Sequence, residues 1–153
     1  MRPMKVSRLV RAPAQTLYDA FLDPEALAAW LPPEGMRGEI SRFEPWEGGG
    51  YRMRLSYESP SPARRGKTEP DADVVDVRFV ELAPAARIVQ AADFDTKDLA
   101  FGGTMTMTWT FTERAAGTEV SVEVENLPPG IREEDHAAGI RSSLENLARF
   151  VSG

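Results

Sequence analysis

Cysteine is absent from the 153 residues, and histidine occurs once, at His136. The first absence excludes disulfides, thiolate metal sites and cysteine nucleophiles, and suits a reducing compartment. A lone histidine with no cysteine also leaves a metal site without its usual nitrogen and sulfur ligands. Long apolar runs are missing too. The opening "MRPMKVSRLV" has no segment long enough for a signal peptide, and no later stretch approaches the length of a membrane span. A soluble, cytoplasmic protein is the expectation. Positive charge is scarce: 18 Lys and Arg stand against 24 Asp and Glu, a net charge of −6 spread along the chain. A nucleic-acid binder needs a concentrated basic face to neutralise phosphates, so that class is excluded.

The nearest approach to a basic cluster is Arg64, Arg65 and Lys67 in "SPSPARRGKTEPDA", where prolines and neighbouring acids indicate a solvated loop. Its "GKT" resembles the end of a phosphate-binding loop. That motif also needs a glycine five residues before Gly66, where Ser61 stands, and a strand and helix on either side. The reading is rejected.

A chain of this length is expected to form one domain, residues 1–153, burying roughly 68–70% of the surface its unfolded chain exposes. Residues 4–12 read as a first strand closed by Pro13. "APAQTLYDAFLD" then spaces Leu17, Tyr18, Phe21 and Leu22 helically, and "DPEALAAWL" restarts a helix with Asp23 as N-cap and Pro24 in the first helical position. After "PPEG" the period changes to that of strands. "GEISRFEPW" and "YRMRLSYE" flank a glycine-rich hairpin turn, and the second of them sets Tyr51, Met53, Leu55 and Tyr57 on one face. "DVVDVRFVEL" and "RIVQAADF" form another hairpin. "GGTMTMTWTFTE" alternates most strictly, with Met105, Met107, Trp109 and Phe111 opposite five threonines, and returns through "RAAGT" into "EVSVEVENL". A final helix of about 19 residues, 133–151, carries Glu133, Glu134 and Asp135 in its first turn, where the helix dipole favours anions. Ile140, Leu144, Leu147 and Val151 make its apolar stripe.

The order is strand, two short helices, six antiparallel strands and one long helix. One-sided strands must bury their apolar face, and the terminal helix is the long amphipathic element available to cover it. The implied fold is α+β, a curved antiparallel sheet of six to seven strands wrapped around the C-terminal helix. Wherever facing side chains are too few to fill the space, a ligand cavity results.

The stretches "APAQTLYDAFLDPEALAAWLPPEGM", "EGGGYRMRLSY", "DVRFVELAPAARIVQ", "FGGTMTMTWTF", "GTEVSVEVENLPPGI" and "AGIRSSLENLARFV" together resemble the bacterial relatives of the heat-shock-protein-90 ATPase activator, within the START-like (SRPBCC), helix-grip superfamily. Each is a packing or turn signature, and the resemblance lies in their order and spacing over nearly the whole chain. It implies an internal, largely apolar cavity between sheet and long helix, used across the superfamily for lipids, hormones and polyketides. It implies no cofactor and carries over no catalytic set. The eukaryotic activator has a further N-terminal domain to which nothing here corresponds, so a chaperone contact is not expected. The partner expected is a small hydrophobic molecule, with no nucleic acid, no membrane span and a homodimer left open.

Several residues are candidates for contact with that molecule. Met53, Met105, Met107 and Trp109 share the inward face, and methionine suits adaptable binding surfaces as well as ordinary core. Tyr51 and Tyr57 bring hydroxyls that need partners if buried. Trp30 reads first as an anchor of the helical pair, with its indole nitrogen able to face the entrance. Glu44 and Glu47 near the hairpin are placed to pair with Arg42 or Arg52, as in a solvated turn. On the last helix, Ile140, Ser143 and Leu144 face inward, and His136 begins the helix at the cavity mouth. A Ser143–His136 nucleophilic pair fails on spacing, since two turns separate them by roughly 10 Å. The alternatives to binding are a cavity-based cyclase, dehydratase or hydrolase using Tyr51, Tyr57 or His136, and a co-chaperone-like interaction module.

Overall fold

The computed structural model describes residues 4–58 and 72–152. The cluster Arg64, Arg65 and Lys67 and the "GKT" lie outside the described residues. The first strand, β1 (Met4–Val10), ends two residues earlier than its pattern suggests. Pro13, which has no N–H to give a ladder, stands immediately before α1 (Ala14–Asp19). Asp23 caps α2 (Pro24–Trp30), its carboxylate accepting the Glu25 N–H at 3.1 Å, with proline in the first helical position.

Six strands follow: β2 (Met36–Phe43), β3 (Gly50–Tyr57), β4 (Ala72–Ala83), β5 (Arg87–Phe94), β6 (Met105–Arg114) and β7 (Gly117–Glu125). They pair antiparallel in sequence order, and β1 closes the row beside β7, giving the sheet order β1-β7-β6-β5-β4-β3-β2. The two short helices therefore carry the chain from one edge of the sheet to the other. β2 begins two residues before its sequence pattern, and it ends earlier because residues 44–49 are committed to the turn, where the Gly49 N–H donates to the Trp46 carbonyl. Glycine is required in this turn and at the first residue of β3, for two separate reasons. Gly48 has a φ of +87°, and a Cβ on Gly50 would lie 1.9 Å from the Val77 carbonyl oxygen. A short 3-10 turn, Leu99–Phe101, capped by the Asp98 carboxylate, stands between β5 and β6 and was not foreseen.

The alternation in β6 has the expected sense. Met105, Trp109 and Phe111 are buried and Met107 is half-buried, whereas Thr104 is exposed and its hydroxyl donates to Asp93. The opposite face of the sheet carries ion pairs: Arg52 of β3 bridges Asp76 of β4 and Asp95 just beyond β5, and Arg42 pairs with Glu44, two residues on, at 2.9 Å. Glu47 pairs with neither arginine and accepts the Leu82 N–H instead.

The terminal helix, α3 (Glu133–Ser152), buries Ala137, Ile140, Ser143, Leu144 and Leu147. It rests on β1, α1 and α2. At that end the space under the helix is filled by rings. Phe21 lies edge-on to Trp30, Trp109 and Phe111 at centroid distances of 4.8, 4.9 and 5.6 Å. Aromatic pairs in such geometry add to the burial of their area. The result is a helix-grip, START-like architecture, and no helix among the described residues is long and apolar enough to cross a membrane.

Candidate functional site

Away from the ring cluster, the row of inward side chains on β3 to β6 does not meet α3, and a cavity of about 370 Å³ remains. Its lower wall is built by the period of two: Tyr51, Leu55 and Tyr57 from β3, Asp73, Val75 and Val77 from β4, Gln90, Ala92 and Phe94 from β5, and Met105, Met107 and Trp109 from β6. His136, Gly139, Ile140 and Ser143 form the roof from α3, one helical turn apart. Leu31, Pro33, Glu34 and Met36 close one side.

That side is tied to the helix by side chains. The Ser143 hydroxyl donates to the Leu31 carbonyl, the Asn146 amide donates to the Pro32 carbonyl at 2.9 Å, and the Glu34 N–H donates to the Ser142 hydroxyl at 2.8 Å. The helix thus supplies the donors for two of the loop carbonyls.

Polar groups in the cavity are few and placed by one another. The Trp109 indole N–H donates to the Gln90 carbonyl oxygen at 2.9 Å, which fixes the orientation of that amide. Tyr51, beside the Gln90 side chain, is only 2% exposed. Burial holds the Tyr51 phenol well above its ordinary pKa, and the neighbouring Gln90 side chain draws it back only in part. Tyr51 thus stays protonated through the neutral range. Asp73, 2% exposed, adds a carboxylate to the wall, and Glu34 and Asp135 add two more. Among the described residues, no group of three or more His, Asp and Glu side chains is placed to hold a metal ion.

Residues 11–152 match the family model described as "Activator of Hsp90 ATPase homolog 1-like protein". The chain belongs to that family. No curated protein matches the chain. Among solved structures, a Chromobacterium violaceum protein is 32% identical over 99% of this chain and 98% of its own, with a TM-score of 0.87. A Rhodobacter sphaeroides protein, 20% identical over 99% of this chain and 92% of its own, has a TM-score of 0.78. An AHSA1-like protein from Aeromonas hydrophila, 14% identical over 98% of this chain and 92% of its own, has a TM-score of 0.73. The last two speak for the fold alone.

Within this Hsp90-activator-like framework, the cavity brings together Tyr51, Tyr57, Met105, Met107, Trp109, His136, Ile140 and Ser143 of the residues singled out in the sequence. Trp30, Met53 and Leu144 are not among its lining. All three are fully buried, and Trp30 does not face an entrance because its indole N–H donates to the Ala20 carbonyl at 2.9 Å. Trp30 is an anchor, as its position directly before the proline pair suggests. Gln90 and Asp73 were passed over. Both had a legible signal: each is a polar residue on the inward row of an otherwise apolar alternation, Ile88-Gln90-Ala92-Phe94 and Asp73-Val75-Val77-Phe79.

Proposed function

We propose that this protein, acting as one domain, binds a small hydrophobic or amphipathic molecule in the cavity between the sheet and α3. The observation that carries this reading is the cavity itself: about 370 Å³, walled mainly by apolar side chains, with a few convergent polar groups. That combination and size are usual for small-molecule sites. Met105, Met107, Trp109 and Ile140 would supply apolar contact, Tyr51, Tyr57 and His136 the polar contact. Ser143 would act chiefly by holding the neighbouring loop, since its hydroxyl is engaged by the Leu31 carbonyl. Trp30, Met53 and Leu144 support the wall from behind.

Native mass spectrometry of the purified protein tests the reading. A co-purified small molecule, released on denaturation, is expected, and an environment-sensitive apolar dye should enter the emptied cavity. A folded protein that excludes every apolar probe would overturn it.

The family description raises a chaperone partner. Large apolar side chains that are exposed among the described residues, Leu9, Trp46, Val80, Leu99 and Phe150, come from five different segments of the chain. The enclosed cavity, rather than these side chains, is the observation that favours a small molecule.

A further inference from the structure

β1 and β2 are the two edges of the sheet, and no strand lies beyond β2 among the described residues. The phase of its hydrogen bonds tells which of its backbone groups face outward. The Glu58 N–H donates to the Gly35 carbonyl at 2.9 Å, which makes 35 and 58 a hydrogen-bonded pair at the start of the β2 and β3 ladder. Such pairs alternate in an antiparallel ladder, so Arg37 and Glu39 also turn their backbone groups to β3, and Met36, Gly38 and Ile40 turn theirs away. The Met36 N–H agrees, since it donates back to the Pro33 carbonyl. The outward row stops at the bulge after Ile40.

An open edge of this kind accepts another strand, and the side chains decide which. Arg37 and Glu39 are exposed, share one face and have no ion-pair partner among the described residues. On β3, Ser56 stands opposite Arg37 and Arg54 opposite Glu39. A second copy of β2, laid antiparallel, must match outward residues with outward residues. Centred on Gly38 it does: Gly38 meets Gly38, Ile40 meets Met36, and Arg37 stands opposite Glu39, twice by symmetry. That pair falls at a non-hydrogen-bonded position, where side chains approach most closely. Glu39 then lies between Arg54 of its own β3 and Arg37 of the second copy. The neighbouring registers, centred on 37 or on 39, set arginine against arginine or glutamate against glutamate. The other edge, β1, carries Lys5 and Arg8 and no acid, so self-pairing there brings no opposite charges together.

We propose that β2 is the contact of a two-fold homodimer, in which two copies pair β2 with β2 about Gly38 and their sheets join. The groove along this edge is lined in part by Ala28, Ala29 and Phe150, which the second copy takes out of water. Pro33, Glu34 and Met36 line both this groove and the cavity, so the second copy backs one wall of the binding site.

Two charge reversals test the contact. Arg37→Glu sets acid against acid at both symmetric places, and Glu39→Arg sets base against base. In sedimentation equilibrium each variant alone should dissociate at least roughly tenfold more readily than wild type, and an equimolar mixture should recover the wild-type affinity to within about threefold, as heterodimers. Hydrogen exchange reads the same contact on the wild-type protein. The Gly38 and Ile40 amides, which give nothing to β3, should be protected in concentrated protein and lose protection on dilution. A wild-type protein that stays monomeric at submillimolar concentration would overturn the proposal. So would a dimer indifferent to both reversals, a mixture of the two folded variants that does not associate, or Gly38 and Ile40 amides that exchange freely within the dimer. The exchange measurement decides the matter even if a variant does not fold.

Discussion

Gly139→Ala places a methyl group at the one glycine of α3, on the roof of the cavity. The glycine has no left-handed backbone conformation to protect, and an added Cβ would meet only the Pro33 Cγ at 3.8 Å, an ordinary van der Waals contact. Two effects then favour alanine. Glycine in a helix interior is about 0.8–1.0 kcal/mol worse than alanine, much of it through the freedom glycine has in the unfolded chain. The neighbouring Pro33 ring also gains a contact atom. Nothing else lies near enough to offset these, so the variant is expected to be more stable by about 0.5–1 kcal/mol. For a chain of this length that corresponds to a rise in Tm of about 1–4 °C. Urea unfolding followed by tryptophan fluorescence, with Trp30 and Trp109 both in the core, reads it as a higher midpoint at unchanged slope. A lower midpoint would show that α3 and the Pro33 loop approach more closely than 3.8 Å allows and would refute the reasoning. The same position gives a control on binding: Gly139→Leu should preserve the helix and reduce dye uptake, because its side chain would project into the cavity.

Phe21→Ala removes the ring shared by Trp30, Trp109 and Phe111 and should cost about 3–5 kcal/mol, measured by the same unfolding assay; a loss below about 1 kcal/mol would mean the rings repack. Alkaline pH should destabilise the protein through Tyr51. Its folded pKa is raised, so its contribution is complete below about pH 10, where the unfolded phenol titrates, and is lost as pH rises above that, at no more than about 1.4 kcal/mol per pH unit. Tyr18, also raised, first by burial and then by Asp19 and Glu47, titrates in the same sense, so Tyr51→Phe should flatten the decline without abolishing it; superimposable profiles for wild type and variant would contradict the assignment. Added to a purified heat-shock-protein-90 ATPase, the protein should leave the rate unchanged, and a stimulation that saturates with concentration would favour the interaction reading.

The fold was legible because burial here is one-sided. Alternation over residues 105–111 could be satisfied only by a sheet with one covered face, and Asp23-Pro24 marks a helix start by chemistry that needs no tertiary partner. The cavity lining was legible where a residue type stood out against its row, as with Tyr51 and His136. What escaped were properties that depend on three dimensions. Whether Met53 or Met107 meets the cavity depends on what packs over each: both sit on the inward row, yet Met53 is enclosed, its end directed at Gly38 of β2, and Met107 is half-buried in the cavity wall. The 3-10 turn at Leu99–Phe101 depends on a single Asp98 cap in a segment with no periodicity. The hydrogen bond from Trp109 to Gln90 joins β6 to β5, and no local spacing encodes it.

The three side chains by which α3 holds the loop at residues 31–34 change what counts as the binding site. Ser142 and Asn146 do not line the cavity, yet they position Pro33 and Glu34, which do. Natural variation that retunes ligand choice would then leave traces on parts of the helix remote from the ligand. A comparison of relatives confined to lining residues would miss them, and a library for redesign should include positions 142 and 146 from the start.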